Sequence, residues 1–597
     1  MARAEEPFVP VPLRVLLGRI AHEWATRRQI FDLPAARFFD ASAGPDLSVQ
    51  FLGRAATTPL GPAAGPHSQL AENIVLAWLG GARIVELKTV QVLDELDISR
   101  PCIDMETVGY NVEWSQELRI GQSLEEYVKA WMIIEILRQW GELTPFVGPD
   151  PGPHIFDISV GYDLAGISSD KVAAYFDGII DAAETIERLR AEIPEPFAAW
   201  RDYPFPARIA ASATLSTFHG CPPDEISSIS RHLMTRHGLD VVVKLNPTLL
   251  GFERVGEIVR GELGYTEIRL RRPDFDADLS FPRALELIRD LDAFARDHGR
   301  RFGIKLTNTL VVENHRASLT GNPMYLSGAP LHVVSMSLLE ELNRALPGML
   351  RVDGQDGTVE VSFSAGVTKH NIAKVSGLGV TPITVCSDLL KPGGYGRLKA
   401  MLTALAGAMT ATGCADLGAW RAHEREAALA GGFSGPVAAY VASLHDRGQN
   451  GAYTRAGTAR LPRRVDHVLE PWGCVACNGC VTVCPNDAFF RLRTPDTMEV
   501  AGRQQYFFFA ELCNQCGNCE VFCPEVGDPA AVKLALFLDP DRFSRGDRPG
   551  FLLTCSDGKL AVTPSPGLEA EVGPLSQILN APEGLPVNLA DLAPTRR

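Results

Sequence analysis

Residues 241–246 read VVVKLN, three β-branched valines followed by a lysine, a leucine and an amide. Short β-rich runs of this kind recur along the chain. Four precede it: 59–64 (PLGPAA), 84–89 (IVELKT), 155–160 (IFDISV) and 209–216 (IAASATLS). Three follow: 302–308 (FGIKLTN), 359–364 (VEVSFS) and 383–387 (ITVCS). Helical patterns come after most of them, for instance over 124–140, 171–192, 224–237 and 282–297. Strands alternating with helices are the signature of parallel βα units. Eight such units predict an α/β fold of the TIM (β/α)8 type, with chemistry at the carboxyl ends of the strands.

Those ends carry Lys88-Thr89, Ser216 with Cys221 just beyond, Lys244-Leu245-Asn246, Thr307-Asn308-Thr309, Ser364-Ala365-Gly366 and Cys386-Ser387. One lysine in such a place is most often a solvated rim charge. Two of them, with paired amides and a late glycine-containing turn, point instead to a site for an anionic cofactor. The loops after strands seven and eight are where such barrels commonly hold phosphate. No Rossmann or Walker glycine motif stands between a strand and a helix: GPAAGPHSQ (61–69) is not one, and GQDGTVEV (354–361) precedes a strand. The chain is therefore expected to lack an NAD(P) module of its own.

Thirteen cysteines are unevenly spread, eight of them between Cys474 and Cys523. GCVACNGCVTVCP (473–485) sets Cys474, Cys477, Cys480 and Cys484 at C-x2-C-x2-C-x3-C before a proline; LCNQCGNCEVFCP (512–524) repeats the pattern with Cys513, Cys516, Cys519 and Cys523. Clustered cysteines in a reducing compartment read first as metal ligands. Structural zinc and paired disulfides are the competing explanations, but zinc usually takes two separated C-x2-C pairs. The duplicated run favours two [4Fe-4S] clusters. It resembles bacterial-type ferredoxins over about residues 466–540. In that arrangement the fourth cysteine of each run serves the other cluster, which implies one set of Cys474, Cys477, Cys480 and Cys523 and another of Cys513, Cys516, Cys519 and Cys484.

The strand-end strings, in their order along the chain, resemble the flavin domain of dihydropyrimidine dehydrogenases and, more distantly, dihydroorotate dehydrogenases. Those families hold FMN at the mouth of a TIM barrel. The resemblance spans roughly residues 47–405 and implies a role for each matched position. TPLGPAAGP (58–66) would contact FMN through Ala63 and Ala64, and ELKT (86–89) would set Lys88 and Thr89 near the isoalloxazine. NVE (111–113) implies Asn111 beside flavin and Glu113 beside substrate; VKLNP (243–247) implies Lys244 at the flavin's N1/O2 edge. TNT (307–309) implies Asn308 and Thr309 on a heterocyclic substrate. YLSGAP (325–330), FSAGV (363–367) and VCSD (385–388) imply a phosphate side made by Gly328, Ala365, Gly366, Cys386 and Ser387. In FHGCPPDE (218–225), Cys221-Pro222 fits the family's catalytic loop, while Phe218 and Gly220 replace its asparagine and serine. Cys221 is the implied acid, against the reading of a buried inert thiol. His219 is a second proton-transfer candidate, against a structural histidine. The longer strings AAGPHSQLAENI (63–74), STFHGCPPDEI (216–226) and KLNPTLLG (244–251) look like a subgroup described as selenate reductase iron–sulfur subunits or glutamate-synthase-like oxidoreductases.

The organisation expected is an N-terminal helical extension (1–45, with a helix over 11–26 on the barrel), the FMN barrel (46–410), a helical linker (411–465), the ferredoxin domain (466–540) and a C-terminal tail (541–597). Residues 455–464 form a basic, Gly- and Pro-containing stretch expected to be a solvated hinge. With 57 Lys+Arg against 72 Asp+Glu the formal net charge is −15, which argues against a nucleic-acid partner. No apolar run approaches the ~20 residues of a membrane span, and MARAEEPFVPVP (1–12) lacks a secretory pattern, so a cytoplasmic location is expected. The resemblance implies an oxidoreductase acting on a CH-CH or CH-N bond of a small pyrimidine- or purine-type heterocycle, with an FAD/NAD(P)H reductase subunit as partner; the sequence also allows a homo-oligomer. The rival readings are a flavin-free electron-transfer scaffold, a glutamate-synthase-like subunit (for which Met1-Ala2-Arg3 offers no N-terminal cysteine nucleophile) and a selenate-reductase-associated subunit without a molybdenum signature.

Overall fold

A computed structural model describes residues 8–94, 98–112, 115–216, 221–316, 318–498 and 502–592. Eight parallel strands form the barrel: β1 (Leu60–Pro62), β2 (Ile84–Glu86), β3 (Ile155–Val160), β4 (Ala210–Ser216), β5 (Asp240–Leu245), β6 (Phe302–Leu306), β7 (Glu360–Phe363) and β8 (Ile383–Val385). Each lies inside its expected run or begins one residue before it. They pair as β1-β8-β7-β6-β5-β4-β3-β2, leaving β1 and β2 to meet around the back. There the Arg83 amide donates to Leu60 O at 2.9 Å. Gly61 makes this closure possible, because a Cβ on it would lie 1.6 Å from Ile84 O.

Helices follow the strands where the apolar spacing placed them: Ile120–Gln139, Pro223–Arg236 and Phe281–Asp297. The stretch expected as one helix over 171–192 is two, Asp170–Ile180 and Ala183–Arg190. The first ends as Asp181 turns extended (φ −134°). A small antiparallel sheet not foreseen from the sequence grows from the loops after β2 and β6. Its strands run in the order Leu310–Val312, Met324–Ser327, Gly109–Asn111, Ile103–Asp104.

The C-terminal region is α+β. Short helices Gly479–Val483 and Asn518–Phe522 sit within the two cysteine runs. A five-stranded sheet orders β9 (Phe489–Arg493), β10 (Gln504–Phe509), β11 (Leu534–Phe537), β12 (Phe551–Ser556) and β13 (Lys559–Pro564). Since β11 pairs with β12, one sheet runs across the 540/541 limit drawn from composition. The N-terminal helix Leu13–Arg27 is tied to the barrel by Lys129 Nζ donating to Val11 O at 2.7 Å. It also packs on the cysteine region, where buried Arg19 pairs with Asp487 at 2.8 Å as well as with its own Glu23. No described helix is long and apolar enough to cross a membrane.

Candidate active site

A cavity of about 740 Å³ opens at the carboxyl ends of the barrel strands, with the small antiparallel sheet as one wall. Beneath it stands Glu86, the last residue of β2, buried and receiving the Ala64 amide at 2.9 Å. Lys305 of β6 bonds to the same carboxylate and donates to Thr384 Oγ1 at 2.7 Å. Lys244 Nζ lies 3.9 Å from the other carboxylate oxygen. Lys244 and Lys305 are register partners on adjacent strands, so their side chains enter the barrel side by side. Burial would raise Glu86, but Lys305 and Lys244 together with the donated hydrogen bonds hold it below the usual carboxylate value. Lys88, buried on the loop after β2, is pushed down to about 8 by desolvation against the pull of Glu117. Lys305 and Lys244 thus face Glu86 while Lys88 faces Glu117, three ammonium groups against two carboxylates, which leaves an electropositive floor.

The amide side is a relay. Ser216 Oγ donates to Asn308 Oδ1 at 3.4 Å, Asn308 Nδ2 to Asn246 Oδ1 at 2.7 Å, and Asn246 Nδ2 to Asp278 at 3.2 Å. The opposite side is made of turns. Gly366 (φ +55°) and Gly328 (φ +82°) press together so that a Cβ on Gly366 would lie 2.4 Å from Gly328 O. Gly328 also starts the long helix Ala329–Ala345, and Ser387 Oγ donates to Ser327 Oγ at 2.8 Å. This close glycine cradle and the cationic floor are the features an anionic, phosphate-bearing cofactor such as FMN would use.

Of the residues singled out from the sequence, Ala63, Ala64, Lys88, Thr89, Asn111, Lys244, Asn308, Thr309, Ala365, Gly366, Cys386 and Ser387 all line this one cavity. Gly328 stands directly behind Gly366. Cys221 does not line it: the thiol faces a separate crevice with Asn246 and Asp278, raised to about 12 by burial and by Glu225 and Asp278. His219 and Glu113 lie outside the described residues. Sequence reasoning passed over Glu86 and Lys305. A charge flanked on both sides by apolar residues, Glu86 between Val85 and Leu87 and Lys305 between Ile304 and Leu306, was the signal available, because such charges are buried only when paired.

The eight clustered cysteines sort into two groups. The Cys480 thiol is raised by burial and by its neighbours Cys477, Cys474 and Cys523. Burial raises Cys484 to about 12, with Cys513 adding to it. Cys519 is raised by burial, then by Asp528, Cys516, Cys513 and Cys484. Eight cysteines gathered in two groups form a donor set that, as thiolates, would suit two cationic iron–sulfur cores. No three His, Cys, Asp or Glu side chains among the described residues converge closely enough to hold a single metal ion. The second group touches the cavity wall. Cys102 N and Ile103 N donate to Cys516 O at 3.0 and 3.1 Å. Cys516 shares a buried apolar cluster with Ile98, Ile103, Met105 and Leu390, all four of which line the cavity.

A family model described as "Oxidoreductase YgfK, N-terminal TIM-barrel domain" matches residues 31–428. Two Escherichia coli proteins named as the oxidoreductase YgfK, from strain K12 and from O157:H7, are each 40% identical to this chain over 420 residues. The match covers 67% of this chain and 39% of theirs. The chain spans about two fifths of the length of these curated relatives.

Proposed function

Because the chain belongs to the family of the YgfK oxidoreductase N-terminal TIM-barrel domain, we propose that this oxidoreductase is an iron–sulfur flavoprotein. It would add or remove two hydrogens across a CH-CH or CH-N bond of a small oxo-heterocycle. The observation that carries the reading is the cavity itself: a cationic floor, an amide relay and a glycine cradle in one space, whose wall is shared with Cys516. Bound FMN would exchange electron pairs with substrate and single electrons with two [4Fe-4S] clusters. Lys244 and Lys88 would hold positive charge against an anionic ring and phosphate in a site of low dielectric. Asn111, Asn308, Thr309 and Glu113 would orient the heterocycle, and Cys221, kept protonated by its raised pKa, would deliver a proton, with His219 as the second candidate. An FAD/NAD(P)H reductase subunit would supply the electrons. A dihydropyrimidine-dehydrogenase-like reaction ranks above a glutamate-synthase-like or selenate-reductase-associated one, because Lys88, Asn111, Lys244, Asn308 and Thr309, the positions that its resemblance singles out, line one cavity.

A flavin-free scaffold is the rival. Keeping the buried ammonium groups of Lys88 and Lys305, with Lys244 nearby, against the carboxylates of Glu86 and Glu117 costs desolvation that a scaffold has no use for. Acid precipitation of anaerobically purified protein decides between them: the proposal expects about one FMN and about eight iron atoms per chain. Iron at that level without flavin would establish the scaffold.

A further inference from the structure

The turn Ala365-Gly366-Val367, on the glycine side of the cavity, is held from behind by a closed circuit of hydrogen bonds. His332 Nδ1 donates to Ala365 O at 2.7 Å, and Asn371 Nδ2 donates to Gly366 O at 3.1 Å. Two phenols join these donors. Asn371 Nδ2 lies 3.2 Å from Tyr453 Oη, Tyr453 Oη 3.0 Å from Tyr440 Oη, and Tyr440 Oη 2.9 Å from His332 Nε2. One arrangement of protons satisfies every member. A carbonyl can only accept, so Nδ1 of His332 carries the ring's proton. Burial pushes this imidazole down to about 4 and keeps it neutral, so Nε2 accepts from Tyr440. Tyr440, its proton spent there, accepts from Tyr453, and Tyr453 accepts from Asn371. The Thr368 amide, donating to Asn371 Oδ1 at 2.7 Å, fixes which way that side chain faces. The His332 ring is also stacked on Tyr453, 5.1 Å between centroids and 12° between planes.

Both peptide groups of the turn are trans, so drawing their carbonyls back aims the Gly366 and Val367 amides the opposite way. The four side chains of the circuit stand outside the cavity, whereas Ala365, Gly366 and Val367 line it. Among the described residues neither amide has a hydrogen-bond partner, although Val367 is buried. A buried amide left in that condition is costly unless a ligand meets it. The long helix Ala329–Ala345 starts beside them, and its Leu331 lines the same cavity, so its free N-terminal end adds to the pull on an anion.

Tyr440 belongs to the helix Pro436–His445 and Tyr453 to the turn Asn450–Tyr453, both inside the stretch expected to be a linker. That stretch is bound to the barrel along its length. Ser337 Oγ and His445 Nε2 lie 2.9 Å apart, Tyr265 Oη donates to Tyr453 O at 3.0 Å, and Arg455 N donates to Leu263 O at 2.8 Å. The basic stretch expected to be a solvated hinge is fixed at both ends, by that last bond and by Val465 N donating to Pro524 O at 2.7 Å.

We propose that His332, Asn371, Tyr440 and Tyr453 are positioning residues that hold the Ala365-Gly366-Val367 turn so that it offers two amides to the phosphate of a bound flavin nucleotide, and that residues 436–453 are therefore part of the cofactor site. The proposal rests on the flavin reading above. It adds the means by which the cavity selects FMN over riboflavin, which has the same ring and no phosphate.

The test uses the full-length chain, its FMN and iron measured as purified, then freed of flavin and titrated with FMN and with riboflavin by quenching of flavin fluorescence. The parent should bind FMN about a hundredfold or more tighter than riboflavin, as two charge-assisted bonds would give. Asn371→Ala, which releases Gly366 O, should lower that ratio about tenfold, with riboflavin affinity within about twofold of the parent's. Tyr440→Phe/Tyr453→Phe keeps both rings and their packing while breaking the circuit, and should lower the ratio severalfold with iron content unchanged. A parent with equal affinity for the two flavins, an unchanged ratio in either variant, or a parallel loss of both flavins would overturn the proposal and leave the flavin reading standing. A parent that binds neither flavin would overturn both.

Discussion

Lys88 is the clearest case of a side chain placed against its own solvation. Its folded-state pKa, about 8, lies below the ordinary 10.5 because burial penalises the ammonium. Below pH 8 both folded and unfolded chains carry the proton and the penalty is fully present. Between about 8 and 10.5 the unfolded chain binds more protons, so this group makes stability rise with pH. Denaturant unfolding at pH 7 and 9.5 should therefore show the parent gaining about 2 kcal/mol more than Lys88→Met over that interval. An anionic ligand of the cavity should bind more weakly as pH passes 8, because the floor loses a charge. Cys221 poses a different question. It sits behind Asn246, one residue removed from the cavity-lining Asn308. If its thiol is the acid, Cys221→Ala should lower turnover by about two to four orders of magnitude while leaving flavin content intact. Turnover at the parent level would return Cys221 to the role of a buried thiol and pass the search to cavity-lining hydroxyls such as Thr309.

The eight barrel strands were legible because each is a short β-rich run set off by helical spacing. The small sheet over the mouth was not. Its strands are two to four residues long, and the pairing that joins its two halves spans more than 200 positions, Gly109 with Ser327 for example. No local period announces such a pairing. The closure of the barrel was equally silent in the sequence, since Gly61 looks like any other glycine until Ile84 O is found against it. Gly61→Ala should cost about 3 kcal/mol, because the atom opposing the new methyl is backbone and cannot step aside. A lowered midpoint of chemical unfolding with the barrel's far-UV signal intact below it is the expected result; a parent-like midpoint would show that β1 and β2 can separate without loss.

The cavity and the cysteine region are one construction. Gly517 (φ +90°) leaves no room for a Cβ, which would meet Pro101 Cβ at 2.5 Å, and Asn514 Nδ2 donates to Glu117, the carboxylate that supports Lys88. Asn518 Nδ2 reaches Leu390 O at 2.8 Å. Changing one thiol at this seam should therefore be felt on both sides of it. On the cofactor reading, Cys516→Ser should reduce iron to about half and also lower flavin retention. The matching change in the other group, Cys477→Ser, should cost iron but leave flavin in place. Equal flavin content in the two variants would mean that the seam does not couple the sites.

The strand order, the helices between strands, the positions that would meet at the barrel mouth and the two repeated cysteine runs could all be read from residue order. Each is set by local chemistry: β-branched runs, 3.6-residue periodicity, or cysteines three apart. What the tertiary structure added depends on residues that are far apart in the chain. Glu86 meets Lys305, Cys516 meets Ile103, β12 extends the sheet of the cysteine region, and Cys221 falls behind the cavity wall rather than on it. Those outcomes follow from how closed strands turn their side chains inward and from what must be buried beside what. No stretch of sequence carries that information alone.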